Sequence, residues 1–141
     1  MGNVLYTVHR IRKAEERRAR VQLADDQRAF DGCAHAIQHI EDAVHASYDR
    51  CGEASNVVEL VRHHSGALRM EMRRRRQERE LHARRLKVAE SNQRLQKVAL
   101  ETKLMELVAD ARAHAHEAEV THRDQAVLNE QGLQSWWRRS A

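Results

Sequence analysis

Proline is absent from all 141 residues, and glycine occurs only five times. Proline fixes φ and removes a backbone donor, so it interrupts helices. A chain without it, rich in Arg, Ala, Glu and Leu, can run as long helices with few breaks. Aromatic residues are equally scarce: one Phe, two Tyr and two Trp. That excludes a broad aromatic core. The hydrophobic fraction of 41% is swollen by alanine, so burial worth about 25 cal/mol per Å² must come from a narrow seam. The only cysteines are Cys33 and Cys51. On one helix they sit about 27 Å apart, whereas disulfide-bonded Cα atoms lie roughly 4.4–6.8 Å apart. A reduced, cytoplasmic protein is therefore the expected setting. No stretch approaches the roughly 18 apolar residues of a membrane span, so no direct membrane insertion is expected. The opening residues turn basic at Arg10, Arg12 and Lys13 without the apolar run of a cleaved signal. Catalytic signatures are missing as well. There is no glycine-rich phosphate loop, no G-x-S-x-G turn, and no cysteine with a local base. No catalytic residue and no cofactor is assigned, and the expectation is a protein that is not an enzyme.

What is present is helical pattern and charge. Asn3 can cap a first helix, and Val4, Val8 and Ile11 follow on one face. Leu23, Phe30, Cys33, Ile37, Ile40, Val44, Ser47 and Cys51 keep the 3/4 alternation of a coiled-coil seam, with Asp26 as a polar insertion. Joining the two runs through Glu15 and Ala19 takes three successive steps of four, a stutter that relaxes the supercoil. The charged stretch 15–20 is expected to be loosely packed or solvated. The best break is at 52–56. Gly52 can take the left-handed conformation that ends a helix, and Ser55 or Asn56 can cap the next, with Glu59 as the capping-box partner. A rival break at His64-Ser65-Gly66 lacks that paired stop and start.

A second helix is then expected from about 57 to 134, with a flexible tail over 135–141. Val57, Val61, His64, Leu68 and Met72 begin its stripe, Leu81, Val88 and Leu95 recur at seven, and Leu100, Leu104, Leu107, Ala111 and Ala118 continue in a shifted phase. The fold class expected is all-α: one antiparallel coiled-coil hairpin, helix 1 over about 3–51, helix 2 longer. In such a hairpin the N-terminus lies near Leu104 and residues 106–137 project unpaired. A projecting helix with Leu107, Val108, Val120, Val127 and Leu128 implies a partner.

The formal charge of +4 and pI near 9.5 fit an acidic protein, anionic lipid or nucleic acid. The magnitude is small for a dedicated nucleic-acid binder, and no nucleic-acid partner is expected. The run Arg73, Arg74, Arg75 and Arg76 circles a helix rather than forming a flat patch; it is either a solvated stretch or an electrostatic contact with an acidic protein surface. His35 and His39 share a face at zinc-chelating spacing, but no third ligand is evident and no metal is assigned. His114 falls in the apolar stripe and is expected to be partly buried. Trp136 and Trp137, followed by Arg138 and Arg139, have the residue types of an interface anchor. Tyr48 lies off the seam and suits an exposed contact.

The opening Val8-His9-Arg10-Ile11-Arg12-Lys13-Ala14-Glu15-Glu16-Arg17-Arg18-Ala19 resembles the N-terminus of the FliJ/YscO family, the stalk proteins of flagellar export and type III secretion. Length, hairpin layout, turn position and the longer second arm are similar too. The arginine run and the Trp-Trp end depart from the family pattern. The resemblance implies a central stalk that enters the hexameric ring of the export ATPase and links it to the cytoplasmic domain of the export gate. Some family members also bind secretion chaperones. Carried onto this chain, it implies a gate contact at Gln38, Glu41, Val44 and Tyr48 and an ATPase contact at Val4, Val8, Ile11, Leu128, Trp136 and Trp137. It also implies a place at the base of a membrane-embedded secretion apparatus, with the flagellar and injectisome branches both open. The alternative is a self-assembling structural coiled-coil adaptor without an energy-coupling role.

Overall fold

The computed structural model describes residues 2–140, with the side chains of Gly2 and Asn3 outside that description. The expected Asn3 cap therefore lies outside the described residues. Among the described residues there are two helices, α1 (Gly2–Gly52) and α2 (Val57–Ser140), joined by a short turn over 53–56. They form an antiparallel hairpin with the second helix longer, 84 residues against 51.

The turn follows the expected stop and start, with one difference. Gly52 is the last residue of α1, yet no described glycine has positive φ. The helix instead closes by tightening: the Glu53 N–H donates to the Arg50 carbonyl (3.2 Å) and the Ala54 N–H to the Cys51 carbonyl (3.5 Å). Such short bonds satisfy end carbonyls without a left-handed residue. α2 opens on Asn56, whose Oδ1 accepts the Glu59 N–H at 2.9 Å. Glu59 reaches back to accept from the Ser55 backbone N–H and hydroxyl, both at 3.1 Å. This is the capping box moved one residue outward.

At its far end α2 runs through Ser140, beyond the expected end near Gln134. Gly132 does not stop it. The Ser135 hydroxyl donates to the Gly132 carbonyl (2.9 Å) and the Ser140 hydroxyl to the Trp136 carbonyl (2.9 Å), so polar side chains hold on to the last turns.

Contacts divide the chain into two units, Glu15–Val98 and the pair Met1–Ala14 with Ala99–Ala141. In the first unit Leu23, Phe30, Ile37, Ile40 and Cys51 are half-buried, while Cys33, Val44 and Ser47 are buried. Ala19 is also buried, so the charged stretch around it is packed rather than simply solvated. Within this unit the inward face passes through Glu15, Ala19 and Leu23, two steps of four centred on Ala19.

On α2 the inward face keeps one heptad phase: Leu81, Arg84, Val88, Ser91 and Leu95 are all half-buried or nearly so. Among the described residues no large side chain is fully buried. The accessible surface is 11653 Å², against about 7500 Å² for a globular protein of this mass. The seam is as thin as the composition implies.

Polar side chains inside the seam set its register. Asp26 accepts from the Ser91 hydroxyl, the Cys33 thiol donates to the Gln77 carbonyl (3.5 Å), and Arg74 donates to Glu41 (3.3 Å) and Glu71 (2.7 Å). A seven-residue slip of α2 keeps the apolar phase but sets Arg74 against Tyr48 or Ala34 instead of Glu41. A polar residue that loses its partner in this way specifies register at a cost in stability.

Gly66 is half-buried in α2, and a Cβ added there meets nothing within 4 Å. Gly66→Ala is expected to stabilise the hairpin by about 1 kcal/mol, read as a higher melting temperature by circular dichroism.

Candidate partner-binding surfaces

α1 and α2 stop covering one another before α2 ends. In the unit holding the N-terminus, His9 Nε2 bonds Glu106 (3.1 Å), Lys13 pairs with the same carboxylate (3.4 Å), and Arg12 pairs with Glu101 (2.8 Å). Thr102 is buried and Met105 half-buried beneath them. The N-terminus thus lies a few residues further along α2 than Leu104. Leu5, Tyr6 and His9 face Glu106, Ala109, Asp110 and Arg112 across an open cleft of about 580 Å³. From the cleft onward, residues 107–140 are exposed throughout.

This overhang is apolar on more than one side. Leu100, Leu104, Leu107, Ala111 and Ala118 are exposed. Leu100 and Leu104 each stand two residues from buried Thr102, about 200° round the helix, so this stripe is not a continuation of the seam. It is a second face turned away from α1, which corrects the expected phase shift within one stripe. Leu133 and Trp136 continue it, and the Trp136 ring packs edge-on against Trp137 at 5.9 Å. His114 is 82% exposed and pairs with Glu117 at 3.7 Å; it is not a seam residue.

Near the turn a second exposed surface appears. Val57, Val61, His64, Leu68 and Met72 do form a stripe, but every one is exposed. The seam opposite them is built from Gly66, Ala67 and Arg74, with Ala67 completely buried. Small and charged seam residues let the arms approach while the larger apolar ones stay outside. Tyr48 joins the stripe through an edge contact with His64, ring centroids 6.4 Å apart.

The implied contact residues separate accordingly. Of the four at the gate end, Tyr48 is exposed, Gln38 is exposed and bonded to Asp42 (3.2 Å), Val44 is buried, and Glu41 is held by Arg74. Val44 and Glu41 are seam residues, because α1 must supply that face to meet Ala67 and Arg74. The residues that sequence reading placed in the seam, Val57, Val61 and Leu68, are the ones a partner can touch.

At the other end Val4, Ile11, Leu128, Trp136 and Trp137 are exposed and Val8 is half-buried. They are not brought together: Trp136 lies about 39 Å along α2 from the cleft beside α1. Leu5 and Tyr6, which line that cleft, carried no distinguishing signal in sequence. In the arginine run, Arg73, Arg75 and Arg76 are exposed, while Arg74 is half-buried among Glu41, Glu71 and Glu78. Its Nε is buried without a partner. Only three of the four arginines are free for an outside contact.

Three carboxylates titrate below their ordinary range. The Ser91 hydroxyl, then the Gln22 amide, hold Asp26 down. The Ser55 backbone N–H, then its hydroxyl, lower Glu59. Bonds from His9 and then Lys13 lower Glu106. A lowered carboxylate adds stability above its ordinary value, 3.8 for Asp and 4.5 for Glu, and that stability is lost as pH falls through the lowered one. Acidification below about pH 4.5 is expected to lower the melting temperature, and Asp26→Asn to flatten part of that slope. A melting temperature that rises on acidification contradicts the assignment.

Cys33 and Cys51 are free thiols on α1. Among the described residues no group of three or more His, Cys, Asp or Glu converges on a metal position, and no helix is long and apolar enough to cross a membrane. Comparison with protein-family models, curated proteins and solved structures finds no match to this chain.

Proposed function

We propose that this chain is the central stalk of a type III protein secretion apparatus, docking in the hexameric ring of the export ATPase and linking it to the cytoplasmic domain of the export gate. The observation that carries the reading is the exposed, apolar, unpaired length of α2 over 107–140. A helix carrying Leu107, Val127, Leu128, Leu133, Trp136 and Trp137 in water needs a cleft or ring to receive it. The opening run from Val8 to Ala19, which resembles the FliJ/YscO family, selects the ring of an export ATPase. The stalk does no chemistry of its own. It binds unequally around the ring and biases subunit states. Tyr48 with Val57, Val61 and Leu68 forms the gate-side surface, and free secretion chaperones are further partners.

The test is to mix the chain with the hexameric ATPase of its own secretion apparatus. Co-sedimentation and a raised rate of ATP hydrolysis are expected. A chain that neither binds nor stimulates the ring is a structural coiled-coil adaptor instead.

A further inference from the structure

The unpaired part of α2 differs in charge from the rest of the molecule. Over 107–140 there are five carboxylates, Asp110, Glu117, Glu119, Asp124 and Glu130, and four arginines, Arg112, Arg123, Arg138 and Arg139. Five negative against four positive charges leaves −1, in a chain whose total is +4, and the length before Trp136 carries −3 because two of the arginines follow the tryptophans.

The carboxylates are also ordered. Glu106, Asp110, Glu117 and Asp124 are spaced four, seven and seven, which stacks them on one side of a helix. Glu119 and Arg123 stand on another side and pair with each other. The acidic line borders the outward apolar stripe of Leu100, Leu104, Leu107, Ala111 and Ala118: Leu107 is one residue from Glu106, about 100° round the helix. At its start, Glu106 and Asp110 edge the cleft floored by Leu5, Tyr6 and Ala109, with Arg112 as its cationic member. Glu106 is held by His9 and Lys13, and Glu117 is 3.7 Å from His114. Among the described residues, no cation pairs with Asp110 or Asp124.

We infer that the outward face of the α2 overhang is a docking surface for an amphipathic protein surface whose apolar side chains are flanked by lysine or arginine. The choice of occupant follows from charge complementarity. An apolar stripe bordered on one edge by a file of carboxylates repels an acidic partner and attracts a basic one at long range. A second copy docked overhang to overhang brings the same carboxylates and is disfavoured. Within the stalk reading, on which the identity of the partner rests, the receiving wall of the ATPase ring is basic. The free arginines Arg73, Arg75 and Arg76 do not make this contact.

Two measurements on the full chain test this. In the first, Asp110→Lys/Glu117→Lys/Asp124→Lys and Arg73→Glu/Arg75→Glu/Arg76→Glu are compared with the unaltered chain for binding to the ATPase ring. The lysine variant is expected to bind about 30-fold or more weakly and to lose most of its salt dependence, and the glutamate variant to stay within about 3-fold. The opposite pattern, or two variants that both bind like the unaltered chain, overturns the inference while leaving the stalk reading intact.

The second measurement does not depend on the ATPase. A designed Leu/Lys amphipathic helix and its Leu/Glu counterpart are titrated against the chain. Tighter binding of the lysine helix, abolished by the triple lysine substitution, supports the inference. Equal binding, binding of neither, or preference for the glutamate helix overturns it even if the ring itself is never bound.

Discussion

Ala67→Leu is expected to lower the stability of the hairpin by about 1–3 kcal/mol, while Leu68→Ala, one residue away, changes it by no more than about 0.5 kcal/mol. Ala67 is the most completely buried residue described, at 0% exposure, and Leu68 is 48% exposed. The Glu41–Arg74 pair sets the register, and one heptad along it Ala67 comes level with Tyr48, beside Ser47 and Val44 on the seam face of α1. Both are buried. A methyl group fills the space there, so the larger side chain must push the arms apart or leave its rotamer. The small neighbours Gly66 and Ser47 leave no bulky side chain beside it to absorb the shift. For a small helical unit each kcal/mol moves the melting temperature by about 4–8 °C. The Ala67→Leu change is therefore large in a melt, and the Leu68→Ala change is close to the noise. Equal losses for the two variants show that the outer stripe, not Ala67, packs against α1.

That pair of substitutions also marks how far the sequence could be read. On α1 the seam from Leu23 to Cys51 is visible because each apolar residue falls on its heptad position and the structure covers the same set wholly or in part. The turn is visible because Gly52, Ser55, Asn56 and Glu59 carry stop, cap and capping-box chemistry together. On α2 the apolar count misleads. Its first seam layers are Gly66, Ala67, Arg74 and Gln77, residues that hydrophobic periodicity ignores, whereas Val57, Val61, Leu68 and Met72 are periodic and face water. The same inversion recurs further on. Thr102 is buried by α1 while Leu100, Leu104 and Leu107 point away from it.

A helix with two apolar faces yields one merged stripe when read as a string, and only the position of the other arm separates them. Net charge misleads in a related way. The excess of positive charge suggests an acidic partner, yet the part of the molecule with most apolar surface to offer is negative.

A chain ended after Arg112 is expected to keep its melting temperature within a few degrees and, under the stalk function proposed above, to lose binding to the export ATPase by more than about 100-fold. The first half of that expectation follows from burial. Residues 107–140 contribute no buried side chain, and among the described residues the ion pairs that tie α1 to this part of α2 end at Glu106. Removing the overhang therefore takes away helix and its share of the circular dichroism signal, but no packing between the arms. The second half follows from where the exposed apolar area lies. Leu128, Leu133, Trp136 and Trp137 are each more than half exposed, and tryptophans at an interface centre commonly account for 2 kcal/mol or more each, about 30-fold in affinity.

Trp136→Ala and Trp137→Ala in the full-length chain are the finer version of the same experiment. They leave the length of α2 unchanged and remove only the anchor, so a loss of ATPase stimulation with an unaltered melt locates docking at the end of α2. Unchanged stimulation by the shortened chain places docking elsewhere, at the cleft beside Leu5 and Tyr6 or at the stripe next to Tyr48. In that case the overhang has no role in coupling.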